Sequence, residues 1–426
     1  MDATPDAAAA SVLDQLDQLV PAMVDDICSF VRLPSVGGTD EENQAQAAMA
    51  ARFRSGGLDV DHWQIDLDAV TARDDFPGME VERREAWGVV GRLPGTGDGP
   101  TLLLDGHVDV VPIGDPAAWP RDPFSGDLDG GLIHGRGACD MKAGVLAAHW
   151  AVQAIRLAGV SLRGDVLVAP VQGEEDGGLG TYAFLERGWT ADLCVIPEPT
   201  QLDVIPANSG ALTFRLTVRG LATHASTRAD GVSALERFIP VHEALVELER
   251  RRHEHVDPLT ARWALAHPLS IGTVRAGDWA SSVPDVLVAE GRLGVAIGEE
   301  VADARADLEA AVAEACAADP WLRDHPVEVE WWGGQFASGR LPEGSDLVER
   351  VQRAHAVVGG GGNDVYGAPY GSDLRLLTGL GDIPTVQYGP GDVKLAHGPH
   401  ESVPVDDVVT CARALAVLAL DVCGVA

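Results

Sequence analysis

Basic residues are scarce in this chain of 426 residues. Lysine and arginine together number 31 against 65 aspartates and glutamates, which gives a formal net charge of −34 at pH 7. Because such a surface repels polyanions, we expect neither nucleic acid nor an anionic membrane face as a partner. The charge fits solubility or adaptation to a salty cytoplasm, and it carries no information about a reaction.

Cysteine is also rare, and long apolar runs are lacking. The N-terminal stretch begins acidic, without a basic segment before an apolar core, which is not typical of a signal peptide. No run approaches the roughly 18 apolar residues that span a membrane. The cysteines form no C-x-x-C pair, a usage typical of reduced, buried thiols in the cytosol, and we predict a cytoplasmic protein. They are Cys28, Cys139, Cys194, Cys316, Cys411 and Cys423.

Apolar residues make up 46% of the chain, enough for more than one domain with a large core. Over about the first 200 residues, apolar strand-like runs alternate with helical patterns, which predicts an α/β layer with a largely parallel, buried sheet. Near residue 210, "GALTFRLTVRG" alternates apolar and polar residues, as in a strand with one face in solvent. We therefore predict a catalytic domain formed by residues 1–209 and 335–426, with residues 210–334 inserted as an α+β domain.

Three residues near the middle of the first segment suggest metal chemistry. In "DGHVDVVP", His107 and Asp109 lie two apart on a predicted strand and so face the same way. One can bind a metal while the other orients it, although a plain His–Asp pair on an edge strand explains the spacing as well. In "GRGACDMKAG", Asp140 precedes a predicted helix and is a candidate N-cap, a metal ligand, or both.

Further acids and imidazoles follow other strand-like runs. Glu174 and Glu175 come after "DVLVAPV", and Glu198 follows "CVIP". His397 and His400 lie in a glycine-rich loop. Each alone is most simply a hydrogen-bonded polar group. In an open parallel sheet, however, groups beyond the carboxyl ends of the strands converge in one crevice.

Four carboxylates gathered with one or two imidazoles are stable only with cations beside them. We therefore predict two divalent metal ions. Mixed nitrogen and oxygen donors without thiolate suit zinc, with cobalt or manganese as alternatives.

Six motifs, in this order, resemble one metallopeptidase family. They are "DGHVDVVP", "GRGACDMKAG", "GEED", "PEPT", "GSD" and "GPG…AH…E". The chain is similar to the acetylornithine deacetylases and succinyl-diaminopimelate desuccinylases, a family that includes aminoacylases and glutamate carboxypeptidases. The resemblance implies a zinc-aminopeptidase-like α/β catalytic domain with an inserted α+β ferredoxin-like lid domain. It also implies a homodimer formed through that lid.

The resemblance further implies roles for individual residues. One metal would be held by His107, Asp140 and Glu198, and the other by Asp140, Glu175 and His397, with His400 as the second choice. Asp109 would support His107, Glu174 would be the general base, and His224 in the lid would stabilise the oxyanion, often across the dimer.

The motifs "GSD" and "GPG" resemble substrate-binding loops of the family. They contribute Ser372, Asp373, Gly389 and Gly391. One departure concerns the lid arginine that binds a substrate carboxylate in the family. Gly294 stands in its place, with Ser282 near the family's asparagine, and Arg292 on the same strand face is the candidate replacement.

We therefore predict a dinuclear zinc amidohydrolase that removes a formyl, acetyl or succinyl-type acyl group from an N-acylated amine or amino acid, a small-molecule substrate. A dipeptidase or carboxypeptidase using the same site is an alternative. A non-catalytic binding protein that kept the fold is another, although such a protein would not need Glu174 beside Glu175.

Overall fold

The computed structural model describes residues 5–426, which form two compact units. Unit 1 comprises the chain up to Pro206 with residues 340–366 and 373–426, and unit 2 comprises residues 207–339 and 367–372. The sequence predicts the divisions at 209/210 and 334/335, a few residues away. The sequence does not predict that residues 367–372 belong to unit 2, because so short a segment shows no hydrophobic period.

Ten α-helices and sixteen strands are assigned within the described residues. The helices are α1 (Pro5–Val31), α2 (Asp40–Ser55), α3 (Leu67–Thr71), α4 (Ala143–Leu157), α5 (Leu179–Glu186), α6 (Ala234–Arg252), α7 (Val301–Ala318), α8 (Leu347–Val357), α9 (Leu374–Gly379) and α10 (Val405–Cys423). The strands are β1 (Asp59–Gln64), β2 (Trp87–Leu93), β3 (Leu102–His107), β4 (Asp127–Asp129), β5 (Leu132–His134), β6 (Val166–Val171), β7 (Leu193–Ile196), β8 (Val204–Asn208), β9 (Gly210–Arg219), β10 (Leu269–Ala276), β11 (Val286–Val295), β12 (Glu328–Phe336), β13 (Gly339–Arg340), β14 (Val365–Ala368), β15 (Thr385–Gln387) and β16 (Ser402–Pro404).

The large sheet of unit 1 has a parallel centre. Strands β6, β3, β7 and β15 lie side by side and run in the same direction. On one side β2 pairs antiparallel with β6 and β1 with β2, and on the other β8 pairs antiparallel with β15. The sheet is thus mixed rather than largely parallel. Strand β1 is partly exposed along its length, which suits an antiparallel edge better than the doubly covered centre.

The centre of this sheet is buried throughout. Every residue of β3 and β6 is buried, as expected for strands covered on both faces. Helices α1, α4 and α10 pack against one another and share one apolar cluster with these strands. Helix α4 ends at Leu157, and Gly159, at the C′ position, adopts a φ of +70°, as glycine often does there.

Unit 2 is an α+β unit with ferredoxin-like topology. Its chain order is β9-α6-β10-β11-α7-β12, and its antiparallel sheet has the strand order β10-β11-β9-β12. Strand β9 alternates between buried and less buried residues along much of its length, as its sequence predicts. The side chain of Ser233 caps α6 by accepting the Glu236 N–H. The predicted α/β class with a ferredoxin-like insertion is confirmed.

Two other predictions concern the chain as a whole. All six cysteines are buried and none forms a disulfide, as predicted. Among the described residues, no helix combines the length and the apolar character needed to cross a membrane. Residues 1–4, part of the stretch predicted not to be a signal peptide, lie outside the described residues.

The buried centre of the sheet sets a stability prediction. Leu103→Ala removes a fully buried side chain from β3, and we expect the free energy of unfolding of unit 1 to fall by about 2–5 kcal/mol because a cavity remains. Leu128→Ala is the matched control, since Leu128 is 54% exposed. Urea unfolding measures both variants. Equal shifts in the two would contradict the assignment of β3 to the core.

Candidate metal centre

Residues predicted as metal ligands meet at the carboxyl edge of the parallel strands of unit 1. His107 ends β3, Glu174 and Glu175 follow β6, and Glu198 follows β7. Two sets of side chains each bring possible ligand atoms within 4.8 Å of one another. The first is His107, Glu174 and Glu198, and the second is His107, Asp140 and Glu175.

Asp140 lies between two imidazoles. Its Oδ1 is 3.1 Å from Nε2 of His107, and its Oδ2 is 3.4 Å from Nε2 of His397. His397 Nε2 is also 3.2 Å from Oε2 of Glu175. Oε1 of Glu198 is 3.9 Å from His107 Nε2. Asp140 therefore lies between His107 and His397, with Glu198 beside the first imidazole and Glu175 beside the second.

The backbone around Asp140 differs from the predicted helix start. Helix α4 begins only at Ala143, with Lys142 in the cap position, and Asp140 has extended dihedral angles of φ −118° and ψ 95°. The suggestion that Asp140 is an N-cap is therefore wrong. Its side chain is turned to the two imidazoles instead, because residues 138–142 form an irregular segment before the helix.

The tautomer of His107 suits a metal ligand. Its Nδ1 is 2.9 Å from the backbone carbonyl oxygen of Asp109, which only accepts, so this nitrogen donates a proton. Nε2 is then the nitrogen with a free lone pair, and it faces Asp140 and Glu198. Fixing the imidazole through its second nitrogen is the usual way in which proteins orient a metal-binding histidine.

The electrostatics of the site favour positive charge beside its carboxylates. Burial, with the nearby Asp140 charge, raises the pKa of Glu198 well above its usual range. Burial opposes ionisation of Asp140 too, but hydrogen bonds with His107 and His397 outweigh it and lower the pKa of Asp140. Hydrogen bonds to Asp140 and Glu175 raise the pKa of His397 to about 11. Protons thus bind at the positions where divalent cations would neutralise the carboxylates. The nitrogen and oxygen donors of the site fit zinc, cobalt or manganese.

Asp109 supports the site from behind. Strand β3 ends at His107, so Asp109 lies just past the strand and not on it, which corrects the predicted shared strand. Its carboxylate is fully buried and accepts the backbone N–H groups of Glu174 (3.3 Å) and Glu175 (3.2 Å). Burial raises its pKa to about 7. Asp109 therefore links the histidine at the end of β3 to the acidic pair that follows β6.

Glu174 and Glu175 lie in different surroundings despite being adjacent. Glu175 contacts His397, whereas Glu174 is buried and close to His107 and Glu198. Burial raises the pKa of Glu174 well above its usual range. A carboxyl group that is buried beside the ligand atoms, with a raised pKa, suits proton transfer near neutral pH.

Two buried arginines, which the sequence does not single out, hold the ligand loops. Arg83 binds Glu42 and Asp176 with pairs of hydrogen bonds of 2.8–2.9 Å, and so fixes the residue that follows Glu175. Arg136 pairs with Glu401 at 2.5 Å. No sequence pattern predicts the role of Arg83, because its partners lie 41 and 93 residues away in the chain.

The two predicted substrate loops make their contacts inside the protein. The N–H of Gly389 donates to Oγ1 of Thr200 (3.0 Å). A Cβ on Gly389 would come within 2.3 Å of the backbone of Pro197, so this glycine permits close packing beside Glu198.

The "GSD" side chains are also buried. Asp373, 1% exposed, accepts a hydrogen bond of 2.6 Å from Thr181 at the start of α5. Ser372, in unit 2, is 3.4 Å from Oδ1 of Asn208. These contacts fix the two loops, and the backbone N–H of Gly389 already donates a hydrogen bond within the protein.

In unit 2, His224 is exposed and its tautomer is set. Its Nδ1 accepts the backbone N–H of Ser226 at 3.1 Å, so in the neutral ring the proton is on Nε2. Gly294 has no room for a side chain, because a Cβ there would come within 2.4 Å of the carbonyl carbon of His267. Arg292 is exposed, with its guanidinium 5.7 Å from the ring centroid of Phe336.

His400, the second choice for a ligand, is exposed and belongs to neither group of possible ligand atoms. It lines a separate cavity of about 150 Å³ in unit 1, with Trp119 and His134. His397 is the loop histidine that faces Asp140.

Comparison with known proteins identifies relatives of this chain. A succinyl-diaminopimelate desuccinylase from Gluconacetobacter diazotrophicus is 30% identical over 401 residues, covering 89% of this chain and 91% of that protein. An N-formyl-4-amino-5-aminomethyl-2-methylpyrimidine deformylase from Halalkalibacterium halodurans is 28% identical over 343 residues, 74% of this chain and 77% of that protein. A dipeptidase from Saccharomyces cerevisiae shares the fold, with a TM-score of 0.76 at 14% identity over 98% of both chains.

The sequence pattern of one peptidase family matches residues 103–421, three quarters of the chain. This segment contains every residue proposed above as a metal ligand, and the match confirms the resemblance carried by the six motifs. The chain belongs to peptidase family M20/M25/M40 and is a hydrolase of amide bonds.

Proposed function

We propose that this protein is a dinuclear zinc amidohydrolase that removes a small acyl group from an N-acylated amine. The observation that carries the proposal is the position of Asp140, with one carboxylate oxygen toward His107 and the other toward His397. One ion would be held by His107, Asp140 and Glu198, and the other by Asp140, Glu175 and His397. Cobalt and manganese are the alternative metals for these donors.

Two bound zinc ions would lower the pKa of water toward neutrality and polarise the carbonyl of the substrate amide. Glu174 accepts a proton from the water that attacks the carbonyl carbon. As the carbon–nitrogen bond breaks, Glu174 delivers a proton to the leaving nitrogen, so the products are a carboxylic acid and an amine. Asp109 holds Glu174 and Glu175 at their backbone amides while this occurs.

The substrate that suits this site best has no carboxylate next to its amide bond. An arginine at position 294 is excluded by the backbone of His267, so the family's carboxylate anchor is absent there. Arg292 lies on the same strand two residues earlier, beside Phe336, and is the candidate contact for a polar or flat amine. The deformylase relatives act on an N-formyl aminopyrimidine, which their name describes, and this supports a formyl amide as the first substrate to test.

We propose that unit 2 is the lid and the dimer interface, and that His224 donates from Nε2 to the oxyanion. Nδ1 of His224 accepts a hydrogen bond from the backbone N–H of Ser226. This supports the role, because the ring proton of the neutral imidazole is then on Nε2. The free, buried cysteines support a reducing compartment, the cytoplasm. A dipeptidase activity at the same site stays an alternative, which substrate tests separate.

Glu174→Gln should lower turnover by about 10²–10⁴-fold with zinc content unchanged, because a general base is lost but no ligand. Glu175→Gln is the matched neighbour and should lose zinc. Elemental analysis and steady-state kinetics measure both. If Glu174→Gln loses zinc as Glu175→Gln does, the two carboxylates do not have separate roles.

A substrate panel tests the acyl and amine preferences. We expect kcat/KM to be higher for N-formyl and N-acetyl amines without an α-carboxylate than for the corresponding amino acids, and higher than for dipeptides. The physical reason is that Gly294 has no side chain that could bind the carboxylate of a substrate. Release of free amine is measured across N-formyl, N-acetyl, N-succinyl and dipeptide substrates. A clear preference for dipeptides would favour the peptidase alternative.

Mixing of inactive variants tests the role of His224. His224→Ala should lower turnover with zinc content intact. If His224 serves the partner subunit, mixing His224→Ala with Glu174→Gln restores activity, because one site in the mixed dimer has both residues. A mixture of Glu174→Gln with Glu175→Gln is the control and should stay inactive. No recovery in the first mixture would place His224 at the site of its own subunit.

A further inference from the structure

We propose that the buried ion pair of Arg136 and Glu401 is a positioning device for the second metal ion, the one held by Asp140, Glu175 and His397. Neither residue belongs to the proposed ligand set. The inference rests on the proposed function, since it presupposes two ions. It is specific to one of them, which makes it testable on its own.

Glu401 organises the segment that leads to Asp140. Its Oε1 accepts three backbone N–H groups, from Gly137 at 2.7 Å and from Cys139 and Asp140 at 3.2 Å. The side chain is fully buried, so these amides have no solvent to bind in its place. The irregular backbone that turns Asp140 away from the start of α4 is therefore held by this one carboxylate.

Arg136 connects the same carboxylate to the histidine loop. Its Nη1 donates to Oε2 of Glu401 at 2.5 Å, and its Nη2 donates to the carbonyl of His397 at 3.1 Å and to that of Pro112 at 3.3 Å. Its guanidinium also lies 5.2 Å from the ring centroid of Trp119. One planar group thus binds the backbone of His397 directly and is linked to the backbone of Asp140 through Glu401.

The two metal positions do not depend on this pair equally. The side chain of His107 is 1% exposed and is held by the Asp109 carbonyl, whereas that of His397 is 55% exposed. The backbone of His397 has a φ of +60°, a conformation that residues other than glycine adopt at a cost in free energy. The Arg136 contact to its carbonyl stabilises this conformation, and losing it would affect the His397 site first.

Stability alone is a weak explanation of the pair. A buried ion pair is often no more stable than apolar side chains of the same volume, because both charges must leave water. In this pair, Glu401 accepts three backbone N–H groups and Arg136 donates to the carbonyl of His397. Apolar residues cannot make these hydrogen bonds.

Zinc titration of metal-free protein tests the proposal. Wild type should bind two zinc ions per chain. Arg136→Met should bind the second ion about 10–100-fold more weakly, since loss of a residue that orients a ligand has this effect. The first ion should be weakened less, because Arg136 contacts the backbone of His397 and not that of His107 or Glu198. The variant should then resemble His397→Ala and not His107→Ala. Isothermal titration and elemental analysis after gel filtration give the two affinities and the stoichiometry.

Three further variants separate positioning from folding. Arg52→Met is the matched control, because Arg52 also forms a partly buried ion pair, with Asp26 at 2.7 Å, and lies over Phe30. It should bind both ions normally. Arg136→Lys keeps the charge but cannot make the same set of contacts, and it should also weaken the second ion. The double variant Arg136→Met with Glu401→Gln removes both buried charges and should still bind one ion.

The outcomes are distinguishable. Fewer than two zinc ions on wild type would refute the dinuclear site itself. If wild type binds two and Arg136→Met binds both with wild-type affinity, or weakens both equally, the positioning role is wrong. Circular dichroism of the metal-free variants establishes that each is folded before titration.

Discussion

The gathering of carboxylates at one edge of a buried sheet is the constraint on which the site depends. Because β6, β3, β7 and β15 run parallel as neighbours, the segments after them share one crevice. Carboxylates in that crevice lose water and repel one another, which the raised pKa values of Glu174 and Glu198 reflect. Two divalent cations would relieve both effects, and Asp140 lies where it can serve both.

Buried charged side chains of both signs surround the site and bind the backbone that carries it. Arg83 and Arg136 are both buried, and each binds a carboxylate while also fixing a loop that holds metal-site residues. Asp109 acts in the same way through the amides of the acidic pair. The reactive groups are thus placed by buried hydrogen bonds to the backbone of irregular segments, since strands and helices alone do not set their geometry.

The sequence predicts most of the fold because its local signals agree with it. Helix α6 begins directly after its capping residue Ser233, and β9 follows the alternating pattern of its sequence. The gathering of His107, Glu198 and the acidic pair follows from strand ends alone. The pairing of Arg136 with Glu401 could not be predicted, since 265 residues separate them and no period connects them.

Anomalous diffraction at the zinc edge from crystals grown with zinc tests the central claim most directly. We expect two peaks about 3.5–4 Å apart, as in other two-metal sites, with the carboxylate of Asp140 between them. One peak should contact His107 and Glu198, and the other Glu175 and His397. A single ion, or two ions that do not share Asp140, would contradict the account.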